Sequence, residues 1–322
     1  MTKRVSIALA IIILTTVGLV YANRIPQGEE SFAAFYPWSF SVTTDLKPGS
    51  EVTLPLTLLE GRQNSKKTDP SLYTAAIISQ ADLENDSLDS RFNVTVTEVA
   101  EAGKIYHKGD PIYIYNFFVS LPLTNNFAFE DAHLMLQYND GSSEEQYIGD
   151  LSFIYVPDSI TDQHLKKTRA LPIIKMGTWE MTALIIEFMV EEELRLESFD
   201  FGLPKYGIDT DRVTCRKKNM DDLEGMYIDR TLDQEFEDIY TLAETETRGI
   251  GLGGLVIEPG LNTLIIPFTF IKGAKLSPIS ALGGLLHYTV NDLPYTYLIE
   301  TIPYVVGHPQ PAIEEYLNNV RH

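Results

Sequence analysis

Lys47-Pro48-Gly49 is followed by Val52-Thr53-Leu54-Pro55-Leu56-Thr57-Leu58. Apolar side chains at 52, 54, 56 and 58 alternate with Thr53, Pro55 and Thr57, and period two over this length marks a half-buried strand leaving a turn. Pro55 has no amide proton to give a neighbour, so the strand belongs at a sheet edge or carries a bulge.

The same grammar recurs on both sides of this stretch. Upstream, Ser31 to Phe40 is dense in aromatics (Phe32, Phe35, Tyr36, Trp38, Phe40) and reads as a first strand packing into a core. Downstream, apolar runs occupy 73–79, 92–99 and 112–123. Leu134–Tyr138 is joined to Gln146–Val156 through Asn139-Asp140-Gly141-Ser142, a strong hairpin signal. Further on, 182–190 and 194–201 flank Glu191-Glu192-Glu193, then Leu264, Ile266, Phe268 and Phe270 share one strand face. Leu285–Val290, Asn291-Asp292 and Tyr295–Val306 read as a closing hairpin. Many short strands with turns between them indicate antiparallel sandwiches or barrels.

The predicted fold is therefore mainly β: two antiparallel β-sandwich domains, immunoglobulin-like in strand pattern, with one or two short helices in the C-terminal half. The first domain spans 23–157. A polar segment with a basic cluster, 158–169, reads as a linker, and the second domain spans 170–308 with an irregular or helical insertion at 202–248. Within that insertion Leu232, Phe236, Ile239 and Tyr240 suit one amphipathic helix. A terminal helix at 309–322, with Ile313, Tyr316, Leu317 and Val320 on one face, is expected to dock on the second domain. The phrases 54–58 and 266–270 echo each other, but the spacing from Pro-Gly to the hairpin Asn differs widely between the halves, so the echo reflects strand grammar rather than duplication.

The N-terminus sets the expected compartment. Lys3 and Arg4 precede an apolar run from Val5 to Val20, and Val20-Tyr21-Ala22 supplies small residues before Asn23. This is how a secretory signal peptide reads, with cleavage between Ala22 and Asn23. Uncleaved, residues 5–22 would serve as a single membrane anchor, since a spanning helix needs roughly 17–25 residues. The body is accordingly expected to be secreted or displayed at a cell surface, or else anchored by 5–22.

Composition narrows the function. The chain has 322 residues, 44% of them hydrophobic, enough for real cores. Its 25 basic and 45 acidic side chains give −20, a charge that repels phosphates and argues against nucleic-acid partners. Membrane contact is expected only through the N-terminal segment, if uncleaved. A lone cysteine, Cys215, cannot form an intramolecular disulfide, and its basic neighbours Arg216, Lys217 and Lys218 bring no histidine to activate a thiol. Asn85-Asp86-Ser87 and Asn93-Val94-Thr95 match the glycan-acceptor pattern.

Motifs for chemistry are scarce. Gly249, Gly251 and Gly254 spell G-x-G-x-x-G, but a strand broken by Pro259 follows instead of the helix that would meet phosphates. The six histidines are scattered, and the acids at Asp209, Asp211, Asp221 and Asp222 lack a calcium-loop pattern, so no metal and no cofactor is expected. No G-x-S-x-G occurs, and 45 acids permit many carboxylate pairs without singling one out. No catalytic residue is assigned. The binding candidates are Tyr113, Tyr115 and Phe117, which share one strand face and could form an aromatic platform for a sugar or peptide. The leading function is an exported non-enzymatic binding or envelope module with a protein or carbohydrate partner outside the cytoplasm. The alternatives are an extracellular carbohydrate-active hydrolase and a membrane-tethered assembly or regulatory factor.

Overall fold

The computed structural model describes residues 32–45, 50–63, 65–84, 91–122, 126–156, 164–175, 180–217, 241–303 and 310–320. The leader with its Ala22/Asn23 site, the turn at 47–49 and the helix expected at 232–240 lie outside the described residues.

The chain is mainly β. In the first half, β1 (Ala33–Tyr36) and β2 (Trp38–Thr44) are separated by Pro37 alone. Then come β3 (Glu51–Glu60), β4 (Tyr73–Ser79), the short helix α1 (Gln80–Glu84), β5 (Phe92–His107), β6 (Asp110–Pro122), β7 (Phe127–Tyr138) and β8 (Ser143–Tyr155). β1 pairs with β3, β3 with β6 and β6 with β5, all antiparallel. β5 turns a corner: its start pairs with β4, which pairs with β7 and so leads to β8. The two layers share one core, in which Leu56 and Leu58 of β3 and Phe117 and Val119 of β6 join Ile77, Leu134, Leu136 and Phe153.

The second half holds β9 (Leu165–Lys175), β10 (Glu180–Val190), β11 (Leu194–Asp200), β12 (Tyr206–Ile208), β13 (Thr214–Lys217), β14 (Ala243–Thr245), β15 (Gly251–Ile257), β16 (Gly260–Ile271), β17 (Ile279–Val290) and β18 (Leu293–Pro303). β9, β10 and β16 pair in that order, with β12, β13 and β14 also on β16. β15, β11, β17 and β18 form the facing layer. A second core lies between them, with Leu184, Ile186, Phe188 and Phe268 against Leu196, Phe199, Leu286 and Tyr288.

The sheets are not purely antiparallel, because β2 runs parallel to both of its neighbours, β8 and β17. One run of pairings thus crosses from the first half into the second through β2. The alternation within β2 explains this double role. Trp38, Phe40 and Val42 enter the first core, while Ser39, Ser41 and Thr43 are buried on the other face. The Ser39 hydroxyl donates to the Ser277 carbonyl at 2.8 Å, and the Ser41 hydroxyl sits between the carbonyls of Gly283, at 2.8 Å, and Phe201. Close approach is enforced at Gly149, whose φ is +108° and where a Cβ would sit 2.0 Å from the Trp38 carbonyl oxygen.

Several expectations are corrected here. Residues 165–169, assigned to the linker, begin β9, which among the described residues pairs with β10 alone and leaves the Lys166 and Arg169 side chains exposed. The stretch 202–217, assigned to the irregular or helical insertion, contains the strands β12 and β13 on either side of a 3₁₀ turn at Thr210–Arg212. The terminal helix α2 (Gln310–Val320) docks on the first half, not the second. Its Ile313 and Leu317 are buried in the first core, and the Tyr316 hydroxyl donates to the Phe35 carbonyl at 2.9 Å. Both hairpins form as read, with Gly141 at φ +85° and Asn291 and Asp292 in the left-handed region, the backbone a tight hairpin turn demands.

Candidate binding cleft at the junction of the halves

The open edge inferred from Pro55 is present. β1 covers β3 only over Thr57–Glu60, because the chain leaves that sheet at Pro37 to become β2 in the other layer. Among the described residues nothing pairs with 51–56 on that side. A proline is tolerated inside a strand where its missing donor faces away from the neighbour, so Pro55 and Thr53, two residues apart, turn their backbone groups to the open edge.

Where β1 and β2 diverge, a cleft of about 350 Å³ opens. Its walls are Val52–Pro55 of β3, Phe40 and Val42–Thr44 of β2 with Asp45 just beyond, Ser280 and Ala281 of β17, and Glu300 and Thr301 of β18. All four strands are fixed by pairing elsewhere, so the cleft is part of the framework. Thr301 fastens its β18 wall to β2, its hydroxyl oxygen accepting from the Thr43 amide at 2.8 Å and lying 3.1 Å from the Thr43 carbonyl. Two lining hydroxyls, Thr43 Oγ1 and Ser280 Oγ, are buried without a hydrogen-bond partner. Hydroxyls of this kind recur elsewhere among the described residues, at Thr182, Thr214 and Thr269 for example, so by themselves they do not mark a ligand. Asp45 and Glu300 are exposed at the rim and make it acidic.

A second concavity lies between β1, the start of β8 and α2, lined by Phe32, Lys67, Glu144, Gln146, Tyr147 and Tyr316. Its charged groups are satisfied internally. Lys67 Nζ lies 2.8 Å from one Glu144 oxygen, and the other accepts from Tyr138 at 3.2 Å. Nearby Glu60 is shut in, with Ser65 donating to one oxygen at 2.6 Å, and burial raises its carboxyl above 4.5. This network staples the 66–72 loop to the β7–β8 hairpin.

The aromatic platform expected at Tyr113, Tyr115 and Phe117 does not form. Phe117 is fully buried, 5.1 Å edge-on from Phe35 and stacked 6.3 Å from Tyr73, because this face meets the opposing layer. Tyr115 is 4% exposed, and Tyr113 is half-buried beneath the Lys104 ammonium at 5.9 Å. Gly251 and Gly254 lie within β15 and Gly249 just before it, where the Gly249 carbonyl accepts from the Ile208 amide at 2.7 Å. No helix follows, so the motif makes no phosphate cradle. Burial pushes the Cys215 thiol up to about 12, the opposite of activation. Asp209 pairs with Arg212 at 2.6 Å. Among the described residues no group of three metal-binding side chains gathers, and no helix is long and apolar enough to cross a membrane.

Sequence reasoning missed Thr43 and Ser280. The available signal was the alternation Ser39, Ser41, Thr43 inside an aromatic strand, which marks a second, polar face needing its own partner.

No family model and no curated protein matches the chain. Among solved structures it is similar to the D00-D0 domain of intimin, at 9% identity over 85% of this chain and 100% of that one, with a TM-score of 0.18. It is also similar to fibronectin(III)-like modules of CbhA from Clostridium thermocellum, at 7% identity over 86% of this chain and 97% of that one, again with a TM-score of 0.18. Scores this low carry no weight in the functional reading.

Proposed function

We propose that the protein is an exported, non-enzymatic module of two immunoglobulin-type sandwiches that binds a partner in the junction cleft. Strand order supports the architecture. β1-β3-β6-β5 over β4-β7-β8 corresponds to the A-B-E-D and C-F-G layers of that fold, and β9-β10-β16 over β11-β17-β18 repeats the A-B-E and C-F-G orders. Export is supported by the basic start, apolar run and Val20-Tyr21-Ala22 ending of the leader.

The observation that carries the binding role is the cleft itself, a concavity of about 350 Å³ on a fixed framework with an acidic rim. Binding without turnover fits the enclosure of Glu60 and the pairing of Glu144 with Lys67, which hold both carboxylates within the framework.

The test exposes isotope-labelled protein to soluble fragments of its host's extracellular polymers. Amide shifts around Thr43, Thr53, Ser280 and Glu300, with the fragments recovered uncleaved, are expected. Turnover abolished by Glu60→Gln or Glu144→Gln would overturn the reading in favour of a hydrolase.

A further inference from the structure

We infer that the junction cleft receives an extended, basic polypeptide segment that adds to the open edge of β3 as a strand. This rests on the cleft being the binding site.

Three features of the cleft agree on that occupant. The first is the unpaired edge: residues 51–56 lack a neighbour on the β1 side among the described residues, a row of six that would accept a strand about 20 Å long at roughly 3.3 Å per residue. An exposed backbone edge is a template for another chain, and main-chain pairing supplies affinity without a specific side-chain code. Pro55 removes one donor from this row, but its carbonyl and both backbone groups of Thr53 remain.

The second is the two-sided character of the space beside that edge. An added strand would turn alternate side chains inward, toward the wall containing Phe40, Val42 and Ala281, and the others outward toward the rim. The third is charge. Asp45 and Glu300 stand at the rim, on a chain whose net charge is −20, so basic side chains at the outward positions gain and acidic ones are repelled. The partner is thus a chain in which apolar and basic residues alternate. A saccharide would leave the β3 edge and the rim charges unused.

The experiment is a fluorescence-anisotropy titration of the full chain with a labelled octapeptide of alternating valine and lysine. Three further probes accompany it: the valine–glutamate counterpart, the valine–lysine peptide N-methylated at alternate residues, and a labelled N-acetylglucosamine hexamer. Saturable binding of the valine–lysine peptide is expected, weakened at least tenfold by glutamate, by N-methylation and by Thr53→Pro. N-methylation blocks strand pairing on the probe, so it needs no altered protein and remains decisive if Thr53→Pro fails to fold. Equal binding of the N-methylated or glutamate peptide would overturn strand addition. Binding of the hexamer alone, lost in Thr43→Val, would overturn it while leaving the cleft as a binding site. Binding of no probe, or binding indifferent to both substitutions, would overturn both.

Discussion

Lys205 Nζ lies 2.8 Å from Oδ1 of Asp150, and both side chains are almost wholly withdrawn from water, at 4% and 1% exposure. The lysine belongs to the loop between β11 and β12, the aspartate to β8, so this pair joins the two halves across the seam made by β2. Asp131 Oδ1 is also 2.8 Å from the ammonium, and the Asp131 amide donates to Asp150 at 3.0 Å.

Removing the cation strands a buried carboxylate, so Lys205→Met should cost about 3–5 kcal/mol in urea unfolding. Burial alone would lower the Lys205 pKa, but hydrogen bonds to Asp131 and Asp150 outweigh it and leave it above 10.5. A base raised on folding stabilises fully below its unfolded value and loses that contribution as pH rises through the folded one. The wild type should therefore lose stability above about pH 10.5 in a way that Lys205→Met does not.

Glu60 has the opposite sign. Burial raises its carboxyl above 4.5, so the native state holds a proton that the unfolded chain releases, and stability falls as pH rises past 4.5. Glu60→Gln keeps an oxygen for Ser65 and cannot ionise. Its denaturation midpoint should exceed that of the wild type at pH 7, with the gap closing below about pH 4.5, as thermal melts across pH would read out.

Cys215, with its thiol pushed up to about 12, should resist iodoacetamide at pH 8 in the native protein and react once the chain is unfolded in urea. Mass spectrometry of both samples reads the difference.

The C-terminal helix is an integral part of the first core. Leu317 is fully buried there, so Leu317→Ala should destabilise by about 2–5 kcal/mol. Because the helix docks beside Phe35 and Tyr36, hydrogen exchange in the variant should rise first in β1 rather than in β9–β18.

The sequence revealed what local pattern determines. Period two at 52–58, the Pro55 edge and both hairpin turns at 139–142 and 291–292 form as their residues require. The misreadings share one cause, which is partners distant in the chain. Lys166, Lys167 and Arg169 look like a linker because nothing local shows that they pair with Met189, Phe188 and Glu187 of β10. Tyr115 and Phe117 resemble a platform until β1 and β4 close over them. Ser39, Ser41 and Thr43 look like surface residues, yet they meet carbonyls or β18 from the other half. The cleft itself arises where β1 and β2 part, and its walls come from residues near 43, 53, 280 and 300, which no spacing rule brings together.

The most direct test of the central claim is amide hydrogen exchange of the full chain, with and without saturating valine–lysine peptide. The account predicts slowed exchange at Glu51 and Thr53 on the β3 edge, with smaller changes at Thr43–Asp45 and Glu300–Thr301. Protection confined to another strand, such as β9 or β15, with the β3 edge unchanged, would contradict it.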